Sequence, residues 1–296
     1  MIGQWTIPCG DDLYQTKGFT LTEQNHNFDQ NAANARCVSY RKRILEISQR
    51  VSALHIAPAF SCLEIVDLIY STLMKTSGLN EVNGDFFLMS KGHGCMAQYV
   101  ILEASGVLPK KELDRYCTPE GILGAHPDRG NPGIIASTGS LGHGLGLAVG
   151  MAYAEKLKKT NSKIFAVLSD GELQEGSSWE AAMMAANLEL DNLIIFIDAN
   201  DFGGMDRMSQ NHRAFYPLRD KFEAFGWECA EADGHQGLEM ISEYSRRAQK
   251  KPFVIICKTI KGKGVSYMEN DPIWHYRSPD KDEYLQAVAE VEGDLQ

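Results

Sequence analysis

No C-x-x-C pair occurs among the seven cysteines, which are scattered over 296 residues. That spacing argues against both a disulfide framework and a structural zinc site. There is no basic run with interleaved aromatics, and the net charge is -10 with a pI of about 5.3, so nucleic acid is not an expected partner. No apolar stretch is read as approaching the roughly eighteen residues that span a bilayer, so no membrane partner is expected. The N-terminus, MIGQWTIPCGDD, lacks a basic n-region and an apolar h-region and is not read as a signal peptide. These absences point to a cytoplasmic protein. A hydrophobic fraction of 44% and a mean hydropathy of -0.27 fit a soluble globular chain with a sizeable core, in one large or two modest domains.

The informative stretch runs from Ile164 to Asp206. Ile164 to Leu168 is a short apolar run of the kind buried on both faces of a sheet, and it ends in Ser169-Asp170-Gly171. Ser177 and Glu180 have the S-x-x-E spacing of a capping box, predicting a helix start there. A second apolar run, Leu193 to Ile197, ends in Asp198-Ala199-Asn200. If the two strands are parallel neighbours, both turns lie at the carboxyl edge of the sheet, where open α/β sheets bind ligands. Asp170 then offers a carboxylate, Asn200 an amide oxygen and Phe202 a backbone carbonyl. Such an all-oxygen set suits Mg²⁺ or Ca²⁺ completed by phosphate and water. Gly171 lets a diphosphate approach the backbone closely. An Asp-Gly pair, a helix and an Asn thirty residues on resemble the thiamine diphosphate motif, and DGELQEGSSWEA is similar to the transketolase family in particular.

The rest of the chain falls into an irregular, polar arm over 1–28 and one domain over 29–296. Asn31 to Leu54 has a helical pattern, Pro58 breaks it, Ser61 caps the next helix, and Leu63 to Met74 continues apolar. Phe86 to Met89 is a strand leading through Ser90-Lys91-Gly92-His93-Gly94 into a helix from Cys95 to Ser105. Gly124-Ala125-His126-Pro127 opens a Gly- and Pro-rich loop that runs into Ser137-Thr138-Gly139-Ser140-Leu141-Gly142-His143-Gly144. Later, the strand Phe253 to Cys257 leads into Lys258-Thr259-Ile260-Lys261-Gly262-Lys263-Gly264, and Trp274-His275-Tyr276 follows. These segments resemble, in order, transketolase elements covering roughly residues 30 to 280.

The resemblance implies an α/β fold with a mostly parallel sheet, helices on both faces, and thiamine diphosphate held with a metal ion at Asp170, Asn200 and Phe202. It implies that His93, Gly139, Leu141, Gly171 and His275 hold the cofactor, and that His55, His126 and His275 are the catalytic candidates. Three departures stand out. Ser169 replaces a common Gly, His143 replaces a Gln, and Tyr276 replaces the Gly after Trp-His; the last two put the ordinary substrates in question more than the cofactor. Only about forty residues follow Cys257, too few for the pyrimidine-binding domain that completes such a site. The chain therefore resembles the N-terminal subunit of a split transketolase. Its expected partner is a C-terminal subunit in an α2β2 assembly, and its expected substrates are a ketose, usually a sugar phosphate, and an aldehyde. The small-residue helix from Gly142 to Leu157 is expected to present Leu145, Val149 and Met151 to that interface, with Glu175 and Glu180 at the boundary. Two alternatives remain: the α-subunit of a 2-oxo acid decarboxylating enzyme, and a non-catalytic binding subunit that retains the pocket.

Overall fold

The computed structural model describes residues 28–51, 54–75 and 84–293. The arm expected over 1–28 thus lies almost wholly outside the described residues. Asp29 caps the first helix, α1 (Gln30–Ser48), its carboxylate accepting from the amides of Asn31 and Ala32 at 2.9 and 3.1 Å. In chain order there follow α2 (Ile56–Leu68), β1 (Phe86–Met89), α3 (Cys95–Ala104), α4 (Lys110–Asp114), α5 (Gly144–Lys158), β2 (Ile164–Ser169), α6 (Gly176–Asn187), β3 (Leu193–Ala199), β4 (Phe202–Gly203), β5 (Asp206–Arg207), α7 (Met208–Asn211), α8 (Leu218–Ala224), β6 (Glu228–Asp233), α9 (Gly237–Arg246), β7 (Phe253–Lys258) and α10 (Lys281–Gly293).

Five strands form one parallel sheet in the order β1-β2-β3-β7-β6. Along β2 and β3 the side chains alternate between two cores. Phe165, Val167, Ile194 and Phe196 join the core under α1, α2, α3, α9 and α10. Ile164, Ala166, Leu168, Ile195 and Ile197 join the core under α5, α6 and α8. Burial on both faces explains why these strands read as continuous apolar runs. The expected three-layer α/β arrangement is the one observed, and β2 and β3 are the parallel neighbours the two-turn argument required, paired from Ile164 with Leu193 to Ser169 with Asp198.

Several local expectations are corrected. The first helix ends at Ser48, well before Pro58. Pro58 instead lies in the first turn of α2, where a missing N–H is tolerated. Ser61 is therefore inside α2 and caps nothing; its hydroxyl is recruited by Asp198. Helix α2 runs on through a π-helical turn, Ile69–Leu73, so that Ile56–Leu73 is an 18-residue run with mean hydropathy 1.4. It does reach membrane-spanning length, contrary to expectation, but 78% of it is buried inside the protein. The capping box does not form: Glu175 is the N-cap residue of α6 without a side-chain cap bond, and the Ser177 hydroxyl donates to the Gly142 carbonyl at 2.8 Å. On α5, Leu145 and Val149 face the sheet core, while Leu147, Tyr153 and Leu157 are the exposed apolar residues.

Candidate active site

Four neighbouring strands, β1, β2, β3 and β7, end at the same sheet edge, and each delivers one polar segment there. The Ser90–Gly94 turn follows β1, Asp170–Glu172 follows β2, Asn200–Phe202 follows β3, and Thr259–Lys261 follows β7.

Asp170 is fully buried, and its carboxylate accepts from the amides of Gly171 (2.8 Å) and Asp201 (2.7 Å) and from the Tyr216 hydroxyl (3.0 Å). Burial, reinforced by the nearby Asp198 carboxylate, raises its pKa to about 7 against those three donors. Asn200 donates to Ser61 Oγ and to Asp198, which leaves its Oδ1 as an acceptor engaged, among the described residues, by the Phe202 amide at 3.0 Å. The Phe202 carbonyl faces Gly171 so closely that a Cβ on that glycine would lie 3.0 Å from its oxygen. One carboxylate, one amide oxygen and one carbonyl are thus grouped across two adjacent loops, and no group of three or more His, Cys, Asp or Glu side chains competes for a metal among the described residues. This hard, oxygen-only donor set, short of a full coordination sphere, fits Mg²⁺ or Ca²⁺ completed by phosphate oxygens.

Beneath these loops lies an ion pair between Lys91 and Asp198, both inaccessible to solvent. Burial acts to lower the Lys91 pKa, but the Asp198 carboxylate outweighs it and the ammonium is held above its usual value. Asp198 also accepts from Ser61 at 2.7 Å and from Thr259, so one carboxylate joins α2, β1, β3 and β7. Lys261 donates to the Gly204 carbonyl at 2.7 Å and to His275 Nδ1 at 3.1 Å. Since an ammonium can only donate, His275 carries its proton on Nε2. Burial and the neighbouring Lys91 lower the Lys261 pKa to about 8. The loop bearing Lys261 is itself anchored by His235, whose Nε2 accepts from the Ile260 amide at 2.9 Å while Nδ1 donates to Glu64 at 2.9 Å.

The imidazoles gather over this floor. The His55 ring centroid is 5.9 Å from that of His93, 5.7 Å from His126 and 5.4 Å from His275, and His93 and His275 are 5.4 Å apart. All four are half-buried. Burial lowers His55 to about 3, with His275 and His126 adding to the effect, and lowers His275 to about 4, with Lys261 adding. His93 is lowered by burial and Lys91. His55, His93 and His275 are therefore held neutral. Tyr99 fixes the loop bearing His126 by donating to the His126 carbonyl at 3.0 Å. Gly139, at φ 137°, has His126 against it: a Cβ there would lie 2.9 Å from the imidazole Cγ. Buried Trp274 packs between Tyr267 and Arg277 and so fixes the turn that presents His275.

The sequence-predicted residues His55, His93, His126, His275 and Gly139 are thus brought together, and Asp170, Gly171, Asn200 and Phe202 form an adjoining group. Leu141 sits in the loop next to them, its carbonyl 3.0 Å from His143 Nδ1. Sequence reasoning missed Glu172. It is fully buried, and its Oε1 accepts from Ser90 Oγ at 2.5 Å and from the Gly142 amide at 3.0 Å, while Oε2 is buried without a partner among the described residues. Burial pushes its pKa up against those hydrogen bonds. One side chain thereby ties together the segments after β1, before α5 and after β2. The signal was present, since Glu172 directly follows Asp170-Gly171, but a carboxylate in a turn reads as solvated until its burial is known. Lys91 and Lys261 were likewise visible only as members of polar loops.

Comparison with known proteins places this geometry. The family description "Transketolase, thiamine diphosphate binding domain" matches residues 34–290. The chain is 39% identical over 255 residues to one of the apulose-4-phosphate transketolase subunits, that of Phocaeicola vulgatus, covering 85% of this chain and 90% of that protein. It is 38% identical over 257 residues to a 6-deoxy-6-sulfo-D-fructose transketolase subunit of a Clostridium species, covering 85% and 93%. The solved transketolase of Campylobacter jejuni shares the fold, with a TM-score of 0.80 at 24% identity over 90% of this chain but 43% of that one. With the family match spanning the whole of the described sheet and both relatives matched over nearly their whole length, the chain belongs to the transketolase thiamine diphosphate-binding domain family.

Proposed function

We propose that this chain is the diphosphate- and metal-binding subunit of a two-subunit transketolase that moves a two-carbon ketol unit from a ketose to an aldehyde. The observation that carries the reading is the convergence of four histidines beside a glycine-backed carboxylate–amide pair at one sheet edge.

Asp170, Asn200 Oδ1 and the Phe202 carbonyl would hold Mg²⁺ or Ca²⁺. His93, Gly139, Leu141, Gly171, Lys261 and His275 would hold thiamine diphosphate, which when bound supplies the carbanion-stabilising centre for breaking a ketose C2–C3 bond. His126, His55 and His275 border the space above that cradle. As the bond breaks, the C3 hydroxyl of the ketose loses a proton, and a neutral imidazole can take it; the acceptor's aldehyde oxygen later gains one as it becomes a hydroxyl. Burial is the main reason His275 is depressed; Lys261, once it neutralises a phosphate, removes only the smaller electrostatic part of that effect. The exposed Leu147, Tyr153 and Leu157 of α5, with Met183 and Met184 of α6, form the apolar face suited to a partner subunit. Two copies of each chain, closed by two-fold symmetry, form the proposed assembly.

Both relatives are named as subunits rather than whole enzymes, and that naming motivates the test. The purified chain should bind thiamine diphosphate weakly and show no ketol transfer, and a co-purified C-terminal subunit should restore both. Release of CO₂ from a 2-oxo acid by the reconstituted complex, without ketol transfer, would show the decarboxylating alternative instead. Full ketol transfer by the single chain would sink the split-enzyme reading.

A further inference from the structure

Tyr276 immediately follows His275 in the short 3₁₀ turn Pro272–Tyr276, and its ring lies 4.4 Å from that of His55, nearer than any of the three imidazoles around it. The four histidines are half-buried, whereas Tyr276 is 50% exposed. The ring therefore stands at the rim of the cluster, tilted 43° against His55 and half exposed. His55 Nδ1, behind it, is shut off from water and has no hydrogen-bond partner among the described residues. A buried imidazole nitrogen without a partner is costly unless a ligand meets it. The turn holding Tyr276 is rigid: Asp271 caps it by accepting from the Ile273 amide at 3.0 Å, and Trp274 is anchored in the core.

We infer that Tyr276 is a specificity-determining residue, a flat aromatic wall that limits the length of the hydroxylated carbon chain reaching His55. The inference rests on the transketolase reading of the site. An aromatic ring offers a broad apolar face to sugar C–H groups and occupies the volume that the distal carbons of a longer aldose need. Short aldehydes pass it, and aldopentose phosphates are disfavoured relative to them.

The test uses the reconstituted two-subunit enzyme and the ratio of kcat/KM for ribose 5-phosphate to that for glycolaldehyde as acceptors. Tyr276→Gly is expected to raise this ratio by about tenfold, the scale of a changed pocket wall, while Tyr276→Phe, which keeps the ring, leaves it near wild type. Thiamine diphosphate affinity, measured in parallel, should be unchanged in both and reports that the turn is intact. Tyr276→Leu replaces the glycine variant if that one does not fold, with the same expected direction. A ratio unmoved by Tyr276→Gly or Tyr276→Leu, or moved equally by Tyr276→Phe, overturns the inference. Failure of the underlying reading is distinguishable, because it appears in the wild-type complex as absence of ketol transfer to either acceptor.

Discussion

The Glu172 carboxylate accepts the backbone N–H of Gly142 across 3.0 Å, joining the turn after β2 to the loop that precedes α5. The same oxygen holds Ser90. Glu172→Ala should leave two buried donors unmet, at about 1–3 kcal/mol each, and loosen the Gly139–Gly142 backbone. Glu172→Gln keeps the oxygen that accepts and resembles the neutral acid favoured by burial. Calorimetry on the reconstituted complex should show thiamine diphosphate affinity falling by at least about tenfold in the alanine variant and largely restored in the glutamine variant. Equal loss in both variants would show that the charge, not the clamp, matters.

Asp170→Ala and Asn200→Ala are each expected to abolish metal-dependent binding of thiamine diphosphate. Titration with cofactor in the presence and absence of Mg²⁺ is the measurement. If Asp170→Ala binds as tightly as wild type in Mg²⁺, this oxygen set does not hold the ion.

His126 and His93 should separate on different parameters. Loss of a general acid–base group costs roughly 10²–10⁴-fold in rate, so His126→Ala should lower kcat on that scale with little change in cofactor affinity. His93→Ala should instead weaken the cofactor. Near-full turnover in His126→Ala would remove it from the chemistry.

The histidine cluster sets an acid limit on stability. The folded-state values of His55 (about 3) and His275 (about 4) lie below the ordinary 6.5, so from pH 6.5 downward the unfolded chain binds protons the folded chain does not. Stability from this source is complete above about pH 6.5 and falls steadily toward pH 4. The cations that face the pair, Lys91 and Lys261, stay charged over that window. Thermal unfolding of the single subunit between pH 7 and pH 4 should therefore show a decline that is shallower in His55→Asn and His275→Asn. An identical slope in the variants would place the acid sensitivity elsewhere.

Strands were readable from the sequence because burial on both faces leaves little but Ile, Leu, Val and Phe, as in Leu193 to Ile197. The site edge was readable because Asp170, Asn200 and the two glycine-flanked segments Ser90–Gly94 and Lys258–Gly264 each follow such a run. Helix beginnings were less so. Ser61 and Ser177 both carry the local signature of a cap, yet tertiary partners, Asp198 and the Gly142 carbonyl, claim their hydroxyls. The inward and outward faces of α5 were also misassigned, since Leu145 and Leu147 are equivalent as letters and differ only in which one meets the sheet. Glu172 was missed for the same reason: what it does depends on Ser90 and Gly142, which are distant in sequence.

The buried pairing of Lys91 with Asp198 bears on how this sequence can drift. Removing one partner of a fully buried ion pair strands the other charge and costs about 3–5 kcal/mol, and exchanging both for apolar residues would still leave unmet the Ser61, Asn200 and Thr259 donors that Asp198 accepts. Neither codon can then change first without a poorly folding ancestor. The two positions are mutationally locked, and any descendant that lacks one is expected to lack both.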